Sequence, residues 1–224
     1  MNVALIGYGK MGHVIEQVAL RRGHRIVVAI DKDNLVDFES DAFRKADVAI
    51  EFTTPQTALY NILHAWQYNI PVVCGTTGWQ AELPQLQKKL QDNGQALLWS
   101  SNFSIGVNLL FEMNRHLSQL MSRYPDYKPH LKEVHHIHKL DAPSGTAVTM
   151  AEQIGYPLGE IESIREGEVP GIHEISYESA ADCLTLRHEA KSREGFALGA
   201  VLAAEFLQGK KGFFTMQDVM NSEK

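Results

Sequence analysis

The chain has 224 residues, 44% hydrophobic and 21% charged, a balance that excludes disordered and fibrous classes and suits one large or two modest globular domains. Its formal net charge of −6 argues against nucleic-acid binding and membrane-surface binding, both of which need a basic face. Cys74 and Cys183 are too few and too far apart for a disulfide framework, and no stretch reads as a leader or as the roughly 18 apolar residues of a membrane span. A soluble chain in the reducing cytoplasm is expected.

The first half alternates strand and helix. "NVALIG" is a short apolar strand, and "HVIEQVALRRG" has helical spacing that stops at Gly23. "RIVVAID" reads as a second buried strand. "DVAIEFT" and "IPVVCGTT" bracket the helical "PQTALYNILHAWQYN", and "QALLWSSN" follows a polar helix around "ELPQLQKKLQDNG". This rhythm predicts a parallel sheet with helices on both faces.

After Asn102 the texture changes. "SIGVNLLFEMNRHLSQLMSRY" reads as one long helix, while "HLKEVHHIHK", "IESIRE", "GIHEISYES" and "DCLTLRHEA" read as strands of a sheet with one solvated or partner-covered face. "GFALGAVLAAEFLQGKKG" returns to a buried helix. The expected fold is α/β: a Rossmann-like parallel-sheet domain, residues 1–103 with 194–224, and a second α+β domain, residues 104–193, built on a mixed or antiparallel sheet.

"GYGKMG" sets Gly7, Gly9 and Gly12 in G-x-G-x-x-G spacing between a strand and a helix. The first glycine permits the tight turn, the second lets a pyrophosphate approach the backbone, and the third lets helix and strand pack closely. Tyr8, Lys10 and Met11 complete the loop. The second strand ends at Asp31, placed to bind ribose hydroxyls; Asp31 repels a 2′-phosphate while Lys32 attracts one, so NADH or NADPH is expected. Gly75, Thr76 and Thr77, then Ser100, Ser101, Asn102 and Phe103, follow later strands at the sheet edge where open α/β folds bind ligands. The plain alternative for all these segments is ordinary turn chemistry.

"EVHHIHKLDAPSGTA", Glu133 to Ala147, gathers three histidines and a lysine ahead of a proline, a serine and a glycine. If the segment stays extended through Lys139, His135 and Lys139 share one face and His136 and His138 the other. Imidazole titrates near neutrality and lysine adds charge, while the amides of Gly145 and Thr146 open a helix toward an anion, best a carboxylate. Satisfied histidines with a capped turn, or a metal held by His136, His138 and Asp141, are the competing readings; no metal is expected.

These segments, with "AIEFTTP", "PVVCGTTGW", "SSNFSIGVN", "SIREGEVPGIHEI" and "SREGFALGA", resemble the 4-hydroxy-tetrahydrodipicolinate reductase (dihydrodipicolinate reductase) family over nearly the whole chain. The loop is one residue shorter than in many members and carries Lys10 where they have arginine. The resemblance implies NAD(P)H-dependent reduction of 4-hydroxy-tetrahydrodipicolinate to tetrahydrodipicolinate with loss of water, a step of lysine biosynthesis by the diaminopimelate route. It implies His135 as proton donor, Lys139 beside it, and His136, Gly145 and Thr146 on a small dicarboxylate substrate. It implies cofactor contacts from Gly7 through Gly12, Asp31, Lys32, Gly75 to Thr77 and Ser100 to Phe103, and a homotetramer. Because cofactor and substrate residues sit on different segments, closure about hinges near Phe103 and Arg193 is expected. Another NAD(P)-dependent reductase of an amino-acid-derived dicarboxylate, a dinucleotide sensor without turnover, and a metal-dependent hydrolase are the alternatives.

Overall fold

The computed structural model describes residues 1–154 and 159–222. The chain divides into two compact units, Met1–Ile105 with Glu194–Lys224, and Gly106–Arg193. In chain order the first unit begins with β1 (Asn2–Ile6), α1 (Lys10–Arg21), β2 (Arg25–Ile30), α2 (Asp41–Arg44), β3 (Val48–Glu51), α3 (Pro55–Gln67), β4 (Val72–Cys74), α4 (Leu83–Asn93) and β5 (Ala96–Trp99). Then come α5 (Ile105–Met121), β6 (Lys128–His135), α6 (Gly145–Glu152), β7 (Glu162–Arg165), β8 (Ile172–Glu178) and β9 (Cys183–Glu189). The chain returns to the first unit with α7 (Glu194–Leu207), β10 (Gly212–Phe214) and α8 (Met216–Asn221).

In the first unit six strands pair in the order β10, β5, β4, β3, β1, β2, and every pair is parallel. Successive side chains alternate across a strand, and here both faces are buried. Val3, Leu5, Val48 and Ile50 pack with α1 and α7 on one side, while Ala4, Ile6, Ala49 and Val72 pack with α3 and α4 on the other. Each fully buried Val, Leu or Ile stabilises by roughly 1.5–3 kcal/mol. The close seat of α7 follows from its small residues: Ala197, Ala200, Ala203 and Ala204 are buried, and a Cβ on Gly199 would lie 1.7 Å from the Phe103 carbonyl oxygen. The expected buried strand "RIVVAID" is instead the half-buried edge strand β2. Sequence reading also passed over β10, α8 and the short α2, elements too brief to show a period.

The second unit is a mixed sheet in the order β7, β6, β8, β9, with β7 parallel to β6 and the other pairs antiparallel. Leu131 and Glu133 of β6 and His173, Ile175 and Tyr177 of β8 are buried, while Glu174 and Ser176 are only partly covered. That alternation gives the sheet one core face, filled from α5 and α6 by Leu110, Met121, Ala147 and Met150. Ser144 caps α6, its Oγ accepting from the Ala147 amide at 3.2 Å.

One expectation fails here. β6 ends at His135, and residues after it turn back, with Lys139 N donating to the His136 carbonyl at 3.1 Å. Strand alternation therefore does not carry through Lys139. The reason is local: Ile137 N and the His135 carbonyl bond to Gly167 O and Glu166 N, the loop after β7, instead of continuing the ladder with β8.

Candidate active site

The glycine loop leaves β1 at Gly7, whose φ of +94° is open to glycine and costly for other residues. A Cβ there would meet the Phe52 carbonyl oxygen at 2.0 Å, and one on Gly12 would meet the Gly7 carbonyl oxygen at 2.4 Å, so both glycines let β1, α1 and the β3 exit pack. Gly9 differs. Its backbone is extended, it is exposed, and a Cβ would touch nothing within 4 Å. It is the N-cap of α1 and makes no side-chain cap, and the helix's first turn bears no acidic residue. An uncapped, acid-free helix tip beside an empty glycine position fits a dinucleotide pyrophosphate. Tyr8 leans on His13, ring centroids 4.1 Å apart, and its hydroxyl donates to Glu16; Lys10 is exposed and Met11 half-buried.

Asp31 follows β2 directly and is exposed, its carboxylate accepting the Lys32 amide at 2.9 Å. At the ends of β3 and β4 the chain is tied together by a buried carboxylate: Glu51 accepts from Cys74 Sγ at 2.9 Å, Asn61 Nδ2 at 3.3 Å and the Thr53 hydroxyl. Burial first, then the Glu51 charge, pushes the Cys74 thiol well up, so this sulfur stays a protonated donor. Gly75 and Thr76 serve this packing. A Cβ at Gly75 would strike the Phe52 ring at 2.2 Å, and buried Thr76 accepts the Thr53 amide on its hydroxyl at 2.8 Å and the Trp79 indole on its carbonyl at 2.7 Å. The close approach expected at Gly75 is thus made by Phe52. Thr77 and Ser101 are exposed, and Ser100 and Asn102 half-buried. Phe103 is 2% exposed and packs on Phe52 with ring centroids 5.6 Å apart, so its side chain is core because the α7 glycine draws this segment inward.

In the second unit the register of β6 brings four side chains to one place. Glu133 and His135, two residues apart, share the core face of β6; His173 of β8 lies opposite Glu133, and Arg165 of β7 opposite His135. Glu133 is fully buried. Its Oε1 accepts from the Ser144 amide and from Arg165 Nη2, each at 3.0 Å, and its Oε2 lies 3.0 Å from His135 Nδ1 without the alignment of an ideal hydrogen bond. Burial alone would raise the Glu133 carboxyl, but His135, Ser144 and Arg165 together hold it well below the usual carboxylate range. His173 Nε2 is 3.2 Å from Ser144 Oγ and 3.9 Å from Glu133 Oε2, and its ring meets that of His135 edge-on at 4.9 Å. Burial, then the charges of His135 and neighbours, lowers His173 to about 3, so it is neutral at working pH. His188, across from His173 on β9, is also pulled down by burial.

The turn after β6 carries the rest of the signature. Lys139 Nζ pairs with both carboxylate oxygens of Asp141 at 2.7 and 2.9 Å, and Arg165 ties the loop by donating to the carbonyls of Lys139 and Asp141. Burial raises the Asp141 carboxyl, yet Lys139 and then the Asp141 and Gly145 amides bring it below its ordinary value. Of the set considered for a metal, Asp141 is thus paired with Lys139, the His136 and His138 rings lie 6.2 Å apart, and His138 reaches Glu168 at 3.3 Å. Among the described residues, the ligand-type atoms that converge, within 4.8 Å, belong to Glu133, His135 and His173, where Arg165 also bonds the carboxylate. Gly145 is exposed with open space at its Cβ position, and Thr146 is half-buried.

Sequence reading missed Glu133, Arg165 and His173. The i, i+2 spacing in "EVH" was the one available signal for Glu133; the other two arrive from strands far along the chain.

Family models agree with both halves: "Dihydrodipicolinate reductase, N-terminus" matches residues 1–103 and "Dihydrodipicolinate reductase, C-terminus" matches residues 106–220. A 4-hydroxy-tetrahydrodipicolinate reductase of Christiangramia forsetii is 44% identical over 240 residues, covering 99% of this chain and 98% of the relative. One from Thermosipho africanus is 34% identical, with 98% of each chain covered. In fold, the chain resembles the dipicolinate-bound dihydrodipicolinate reductase of Paenisporosarcina sp. TG-14, with a TM-score of 0.77 at 24% identity, covering 96% of this chain and 97% of the other. Matched in both halves and aligned end to end with its relatives, the chain belongs to the dihydrodipicolinate reductase family.

Proposed function

We propose that the chain reduces 4-hydroxy-tetrahydrodipicolinate to tetrahydrodipicolinate, with loss of the 4-hydroxyl as water, in the diaminopimelate route to lysine. The observation that carries the reading is the pairing of His135 with buried Glu133 inside the family's signature segment, in a chain 44% identical to a named reductase over its whole length. A bound NADH or NADPH supplies hydride to the unsaturated ring.

The chain's own residues do the remaining work. The Gly7 to Gly12 loop holds the pyrophosphate, with the acid-free tip of α1 facing it. Asp31 meets the adenosine ribose and Lys32 tolerates a 2′-phosphate, so both cofactors are used. Thr77, Ser100, Ser101 and Asn102 line the same sheet edge, while Gly75, Thr76 and Phe103 fix its backbone. In the second unit Lys139, His136 and the amides of Gly145 and Thr146 hold the ring carboxylates, Lys139 exchanging Asp141 for substrate. His135 gives its proton to the carbon next to the one that receives hydride, as negative charge develops there.

The assembly proposed is a homotetramer; exposed β9, with Leu184 44% exposed, supports a covered sheet edge. Free Cys74 and Cys183 suit a reducing cytoplasm. No helix among the described residues is long and apolar enough to cross a membrane.

The direct test couples the chain to freshly made product of the preceding aldolase step and follows nicotinamide absorbance with NADH and, separately, with NADPH. Decay with both supports the proposal; decay with neither overturns it. Sedimentation equilibrium reads the assembly.

A further inference from the structure

Glu133 has the geometry of a tautomer selector. Its Oε1 is loaded twice, by the Ser144 amide and by Arg165 Nη2, so the carboxylate cannot turn away and Oε2 is left toward Nδ1 of His135 at 3.0 Å. Among the described residues neither Oε2 nor Nδ1 makes an aligned hydrogen bond, and the two approach each other at 3.0 Å. A bare Nδ1 there would set its lone pair against a buried negative oxygen, whereas a protonated Nδ1 meets it favourably. The ring's other nitrogen, Nε2, faces Gly171, where a Cβ would stand 3.1 Å away; glycine keeps that side of the ring open. His173 abuts the ring as a neutral group, because burial holds it near 3, and so adds no competing cation.

We propose that Glu133 is a positioning residue for proton transfer: clamped by Arg165 and the Ser144 amide, it keeps a proton on Nδ1 of His135 and commits Nε2 to deliver the one that leaves. This rests on the reading of His135 as proton donor. In the step, the Nε2–H bond of the imidazolium breaks and a C–H bond forms on the substrate carbon. The neutral ring that remains carries its hydrogen on Nδ1, and solvent returns the proton to Nε2 afterwards. A neutral ring held in the opposite tautomer could give up its Nε2 proton only by becoming an imidazolate, or would have to form its cation without a carboxylate beside Nδ1.

Glu133→Gln tests this with little change of volume. The Ser144 amide and Arg165 are both donors, so the glutamine oxygen must face them and its NH2 must face His135. Nδ1 then accepts and the neutral ring carries hydrogen on Nε2. Long-range proton–nitrogen NMR of histidine-labelled protein, with His135 assigned through His135→Gln, reads the tautomer with no turnover required. The expected results are the Nδ1–H form in the native chain and the Nε2–H form in Glu133→Gln. The variant's kcat should fall at least about 100-fold, the scale of lost general-acid catalysis, with KM within about threefold and NADH affinity unchanged. A native ring in the Nε2–H form overturns the proposal without any variant, and so does a Glu133→Gln enzyme that keeps the Nδ1–H form or native kcat. If the native chain has no reductase activity, the functional reading fails, while the tautomer measurement still decides the role of Glu133.

Discussion

Lys139 Nζ rests 2.7 and 2.9 Å from the two carboxylate oxygens of Asp141, a pair held in place by Arg165 on the carbonyls either side of it. Under the proposed role this ammonium leaves Asp141 for a substrate carboxylate. A charge-assisted bond is worth about 1.5–3 kcal/mol, so Lys139→Ala should lower kcat/KM by roughly 10- to 100-fold, through both KM and kcat. NADH affinity, measured by fluorescence titration, should stay within about twofold. An equal loss of NADH binding would place Lys139 elsewhere.

The glycines of the opening loop separate by the space around them. Gly9→Ala puts a methyl where nothing lies within 4 Å, on a backbone with φ −83° that alanine accepts, so the melting temperature should hold. NADH affinity should fall about tenfold or more as the methyl meets the pyrophosphate. Gly12→Ala, 2.4 Å from the Gly7 carbonyl, should instead cost about 1–3 kcal/mol of stability, the price of overpacking. Calorimetry and titration on the two variants should give opposite patterns.

Acid should loosen the second unit, and two of its buried groups act with the same sign. Glu133 is depressed in the folded chain, so its contribution is full above its unfolded pKa and is lost as pH falls. His173 is depressed from 6.5 to about 3, so between those values the unfolded chain binds the extra proton and stability is lost as pH drops. The limiting slope is about 1.4 kcal/mol per pH unit for one proton. His173→Gln should flatten the dependence of urea midpoint on pH between roughly 6 and 4. A native slope unchanged in the variant would show that His173 does not take up that proton.

Arg22 binds Glu205 through two parallel contacts, Nε and Nη2 each at 2.8 Å, and His24 adds a third at 2.7 Å, joining the end of α1 to α7. Arg22 first, then His24, lowers the Glu205 carboxyl, so the link holds above the unfolded carboxylate pKa and fades in acid. Both side chains are partly exposed, which limits its worth to about 1 kcal/mol. Arg22→Ala should lower the melting temperature by about 2–4 °C near neutrality and by less at pH 4.

Local sequence alone determined the βα alternation from β1 to β5 and the glycine loop. Strand and helix periods in "NVALIG", "HVIEQVALRRG" and "DVAIEFT" lie within single windows, and the phosphate loop is one turn of contiguous chain. The start of α6 was legible for the same reason, since Ser144 caps a helix that begins at the next residue. Where burial depends on distant partners, the sequence was silent. Phe103 reads like any residue after a strand, yet Gly199 on the returning helix makes it core, and Gly75 is glycine for the Phe52 ring. The Glu133, His135, Arg165 and His173 group exists only through register: a one-residue slip of β6 against β8 or β7 would turn Glu133 and His135 to the opposite face. Residues 32 and 40 positions past Glu133 carry no mark of their partner in the linear chain, because strand pairing, a long-range choice, decides which side chains meet. The sequence determined which chemistry was present, and only the tertiary structure decided which nitrogen of His135 faces the buried carboxylate.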